Sequence, residues 1–197
     1  MTFDYAFVYS VTALSSIFWI FAAIRQYKSE LFWYFFVLAI SDPIVFSLWL
    51  WLHKFIGPGH VYPILLFFLL LSLYWSDRKN WHVRMMLLAL ILIHIITFSS
   101  SEKVHNVVMI LFHLPILSIF LKRSIYFIAE NGKANLFHLF LLLYETTIIL
   151  KMLVMLTEAN SSLVLFYVTS LFEILIAVFF SIFKENDSRL FINLKNV

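Results

Sequence analysis

The chain has 197 residues, 63% hydrophobic and 13% charged, with a mean hydropathy of +0.95. Soluble domains are roughly 45–50% apolar and about 25% charged, so this composition is that of an integral membrane protein with no room for a soluble domain. The absence of cysteine excludes disulfides, thiolate metal sites and cysteine nucleophiles. The net charge of +3 is the excess expected of basic loops facing anionic lipid, and it implies no nucleic-acid partner.

A spanning helix needs about 20 residues, so the length accommodates seven spans with short connections. Met1-Thr2-Phe3-Asp4 lacks the positive segment of a signal peptide, and the first apolar run is expected to remain as helix 1, over 5–24. Helix 2 covers 31–52 after the basic turn Arg25-Gln26-Tyr27-Lys28. The turn signal Gly57-Pro58-Gly59 separates it from helix 3. Helices 3 and 4, over 61–75 and 85–98, are short for full spans and flank Asp77-Arg78-Lys79-Asn80. Helix 5 is expected over 104–121, with Lys122 and Arg123 marking its exit. Helices 6 and 7, over 136–156 and 162–183, form a hairpin around Thr157-Glu158-Ala159-Asn160.

Positive charge alternates between loops. Arg25, Lys28, Arg78, Lys79, Arg84, Lys122, Arg123, Lys133, Lys184, Arg189 and Lys195 share one phase, against Lys54 and Lys103 in the other. Because Lys and Arg are retained on the cytoplasmic side, this predicts an all-α protein of seven transmembrane helices with its N-terminus outside and C-terminus inside. A re-entrant pair of helices 3 and 4 with only five spans would move Arg78, Lys79 and Arg84 outside, against that rule. The tryptophans fit interfacial positions, with Trp19, Trp33, Trp75 and Trp81 near inner boundaries and Trp49 and Trp51 near an outer one.

The starts of helices 1–3 and 5–7 differ by about 100 residues throughout, and with one intervening helix the two halves run parallel. Asp42 in helix 2 then corresponds to Glu145 in helix 6. This three-plus-one-plus-three arrangement with an outside N-terminus resembles the SWEET sugar transporters and their PQ-loop relatives. The resemblance is one of topology, and it implies that Pro43 and Pro115 act as hinges. More loosely, the chain resembles uncharacterised seven-helix proteins of bacterial inner membranes with a basic first inner loop and an acid in helix 2. Abundant Phe, Leu, Ile and Lys with 3 Gly matches an AT-rich bacterial genome.

Asp42, His94, His113, His138, Glu145, Lys151 and Glu173 fall inside the expected spans. A charge at mid-bilayer costs about 2.5–3.5 kcal/mol on insertion scales, so each needs a partner or a wet cavity. Asp42, His113, Glu145 and Glu173 share one depth and are the candidate ligand- or ion-binding residues. Lys151 is expected to snorkel toward the outer surface, beside Glu158. His138 is expected to reach the headgroups, and His94 to be structural. No helix carries an i, i+4 His pair, and no serine has a His and acid at a motif spacing, so neither metal ligands nor catalytic residues are assigned and the cofactor is unknown.

The first functional reading is a non-enzymatic accessory or scaffold subunit of a larger membrane complex. Its partners would be the bilayer and other membrane-protein subunits or further copies of the chain. The alternatives are a SWEET-like small-solute transporter using the mid-membrane carboxylates, and a membrane sensor.

Overall fold

Long runs of Leu, Ile and Phe offer the backbone few competing side-chain partners, and the i to i−4 ladder satisfies the amides beyond the first turn of each helix. Seven helices result in the computed structural model, which describes residues 5–52, 58–74, 80–157 and 162–194. They are α1 (Tyr5–Arg25), α2 (Phe32–Leu52), α3 (Pro58–Leu73), α4 (Trp81–Ile96), α5 (Glu102–Asn131), α6 (Leu136–Thr157) and α7 (Ser162–Ile182). Among the described residues three helices are long and apolar enough to cross a membrane: α5, α6 and Val164–Ile182 of α7. The Asp77-Arg78-Lys79 loop, the turn at Glu158-Ala159-Asn160, Met1–Asp4, Lys54, Trp75 and Lys195 lie outside the described residues.

Several boundaries differ from expectation. Helix α5 does not stop at Leu121 but continues through Lys122 and Arg123 to Asn131, a length of 30 residues or about 45 Å. The two charges mark a passage from apolar to polar surroundings, not a helix end. The stop comes at Gly132, whose φ of 62° is the left-handed cap conformation that glycine adopts without strain. Helix α3 starts earlier, at Pro58, because the first helical position needs no amide hydrogen. The turn signal is thus partly absorbed into the helix. Helix α4 starts at Trp81, where the Asn80 side chain accepts from the His82 amide.

Packing follows a closed circuit. Helix α1 lies on α2 and α7, α2 on α3, α3 on α5, α5 on α6, and α6 on α7. Six helices therefore form a ring, while α4 touches α3 and α5 and exposes Leu88, Leu92, Ile95 and Ile96.

One half of the ring's interior is filled by aromatic side chains. Tyr34, Phe35, Phe120, Phe137 and Phe180 are fully buried. Phe35 and Phe180 rings meet at 5.0 Å, Phe137 and Phe180 at 4.9 Å, and Tyr34 and Phe120 at 5.1 Å. Trp19 closes this layer at 4.8 Å from Tyr144 and is 3% exposed, so it is a core residue and not the interfacial anchor expected from sequence. Trp33, Trp51 and Trp81 are exposed, as interfacial tryptophans should be.

Beyond the aromatic layer the C-terminal ends of α1 and α7 meet. The Gln26 amide donates to the carbonyls of Phe180 and Phe183, and Arg25 Nε to that of Ile182. After α7 the tail turns back through a 3-10 turn at Ser188–Leu190. It then forms a short antiparallel pair, β1 (Lys133–Asn135) with β2 (Phe191–Asn193), which the sequence reading did not anticipate.

Candidate functional site

In the other half of the ring the side chains leave a cavity of about 480 Å³, lined by residues of α1, α2, α3, α5, α6 and α7. Its exposed rim includes Glu102 and Met155, and its walls descend to Trp19 and Tyr144 at the aromatic layer. Three of the four candidate residues, Asp42, His113 and Glu173, face it directly. The fourth, Glu145, is completely buried behind His113.

Each carboxylate is held differently. Asp42 stands one residue before Pro43, whose missing amide hydrogen leaves a gap in the α2 ladder. The Tyr62 hydroxyl of α3 donates to Asp42 Oδ1 at 2.7 Å. Glu145 accepts from the Tyr34 hydroxyl at 2.6 Å and lies 2.7 Å from His113 Nδ1. Nδ1 is the ring nitrogen engaged with Glu145, which leaves Nε2 on the other side of the ring. Glu173 takes both its oxygens to Lys151 Nζ, each at 3.2 Å.

Lys151 therefore does not snorkel outward. It reaches from α6 across to α7, where Ser170 Oγ accepts at 3.0 Å and the Phe166 ring lies 4.5 Å beneath the ammonium. An ion pair with a buried acid offsets desolvation better than a stretched side chain can. The expected neighbour, Glu158, lies outside the described residues. Lys151, Tyr34 and Tyr62 were missed as site residues. Lys151 carried a signal, a charge inside an apolar run, whereas Tyr34 and Tyr62 sit near the starts of their helices and carried none.

The remaining histidines fall into two groups. His138 is buried near the start of α6. Its Nε2 is 3.0 Å from Glu185 Oε1, and its ring meets Phe127 edge-on at 5.6 Å. Arg123 adds a contact to the same Glu185 at 3.7 Å. At the opposite end, His105 lines the cavity, with Nε2 3.1 Å from the Thr97 carbonyl oxygen and its ring 4.6 Å from His60. His94 is buried nearby, beside Phe98. Among the described residues no three His, Asp or Glu side chains are grouped so as to hold a metal ion.

The cavity can thus accept a solute with hydrogen-bonding groups, and it presents carboxylates, an ammonium, hydroxyls and an imidazole within one apolar shell. Comparison with protein families, with curated proteins and with solved structures finds no match to the chain.

Proposed function

We propose that the chain is a seven-span membrane protein that binds a small polar solute in the cavity and carries it across the bilayer by alternating access. The supporting observation is the cavity itself: about 480 Å³, lined by ionisable side chains and closed on one side by aromatic rings packed edge to face. Ligand sites are commonly pockets of roughly 300–1,000 Å³ with a few polar groups in an apolar wall. Charges within a bundle are costly and mark substrate or ion pathways. A scaffold has no use for such a lining. The proposed orientation, N-terminus outside, puts the open rim outside and the aromatic layer toward the cytoplasm.

The ring order also supports the three-plus-one-plus-three repeat. Contacts α1 to α2 and α2 to α3 are matched by α5 to α6 and α6 to α7, and the halves join twice, through α3 to α5 and α7 to α1. Parallel halves enclosing a central site are a common transporter design.

The test is uptake into liposomes reconstituted with the protein, using a mixed panel of labelled amines, amino acids and sugars. At least one solute should accumulate, and Asp42→Asn or Glu145→Gln should abolish that uptake while the protein still inserts. Normal uptake by both variants, or no uptake of any solute, would sink the transport reading.

A second reading, an accessory subunit of a bacterial inner-membrane complex, draws support from the bare outer face of α4. Purification in mild detergent from the native membrane tests it: a stoichiometric partner contacting Leu88, Leu92 or Ile95 is the expected result under that reading.

A further inference from the structure

We infer that the occupant of the cavity is an organic cation, a small amine whose ammonium sits on Asp42. This rests on the proposed solute-binding role and specifies its substrate class.

The charges facing the cavity are unequal. Among the described residues, Asp42, Glu102 and Glu173 are set against Lys151 alone. Lys151 is already satisfied by both oxygens of Glu173 and by Ser170. Asp42 has the Tyr62 hydroxyl on one oxygen, and among the described residues no cation is in ion-pair contact with it, Lys151 acting on it only at longer range. A carboxylate in an apolar wall with one neutral donor is an incomplete site, and an ammonium completes it with a charge-assisted hydrogen bond.

The walls suit a cation as well. Trp19, Tyr62, Tyr144 and Tyr167 line the same space, and aromatic faces attract ammonium groups through their quadrupole. The cavity already uses this chemistry once, at the Lys151 ammonium over the Phe166 ring. His113 adds a polar ring edge to the same wall, with its Nδ1 engaged by Glu145. An anionic solute would meet three carboxylates and find the single ammonium occupied.

Three probes of one size separate the possibilities: phenethylamine, 2-phenylethanol and phenylacetate, carrying an ammonium, a hydroxyl and a carboxylate on the same skeleton. Binding to the full chain in detergent is read from Trp19 fluorescence, with Trp19→Phe as the control for the signal. Phenethylamine should bind about tenfold or more tightly than the alcohol, and phenylacetate most weakly. Asp42→Asn should erase that preference without shifting the unfolding temperature by more than a few degrees.

The inference is overturned if the alcohol or the carboxylate binds as tightly as the amine, or if the preference survives Asp42→Asn. It is also overturned if none of the three binds while the liposomes still take up a neutral or anionic solute. In that case the transport reading stands without it. Absence of both binding and uptake removes both.

Discussion

At the scale of single residues, Glu145 is the most constrained group in the molecule. Its two oxygens each have a partner, the Tyr34 hydroxyl and His113 Nδ1, and the residue is fully buried. Tyr34→Phe leaves one oxygen without its donor, and the expected cost is about 1–3 kcal/mol. Glu145→Ala leaves the Tyr34 hydroxyl and the His113 ring without their partner together, and the expected loss is about 2–6 kcal/mol, twice the cost of one unsatisfied buried group. Unfolding in detergent measures both, and equal stability of the two variants and the parent would contradict this account. The sequence made Glu145, Asp42, His113 and Glu173 visible because an ionisable group in an apolar run is conspicuous and its depth can be counted. It did not reveal their partners. Tyrosine is unremarkable in such a run, and the side toward which Lys151 turns depends on where α7 packs, which no local pattern encodes.

At the scale of elements, existence and order of the helices were legible and their ends were not. Apolar runs announce helices, but Lys122 and Arg123 sit inside α5 because a helix can leave an apolar environment without ending. The cap at Gly132 was the better signal. Contacts between elements were hidden altogether, and the approach of α3 to α5 shows why. At Gly59 an added Cβ would stand 2.7 Å from His105 Nδ1 and 2.9 Å from His105 Cβ, so the helices meet there only because the side chain is a hydrogen. Gly59→Ala should push α3 off α5 and destabilise by about 1–3 kcal/mol. His105→Gly in the same chain removes both crowding atoms, Nδ1 and Cβ, and should recover part of that loss. Failure of the second change to raise the unfolding temperature would mean that the crowding lies elsewhere.

At the scale of the whole molecule, the tail and the ring act as one body at the end where basic residues gather. Asp187 accepts from the Arg189 amide at 3.1 Å and from its guanidinium at 3.0 and 2.6 Å, and these bonds hold its carboxyl down at about 2 against an ordinary 3.8. A depressed acid contributes stability that is fully present above its unfolded value and lost as the pH falls through its folded one. The 3-10 turn and β2 should therefore loosen between about pH 4 and pH 2. Hydrogen exchange of the Phe191–Asn193 amides reports it, and Asp187→Asn should flatten the pH dependence in that window. The contribution is modest because water screens the pair. The closed ring was not readable from sequence, since it depends on α7 returning to α1 across the full length of the chain. That return has a consequence for how the protein is made. Lys151 belongs to α6, but its counter-charge Glu173 and its ligand Ser170 are on α7. A ribosome delivers α6 first, so the lysine's charge stays uncompensated until the last helix has been synthesised. In a seven-span protein this couples the final two insertions, making the α6–α7 hairpin, and not the single helix, the unit that the membrane accepts.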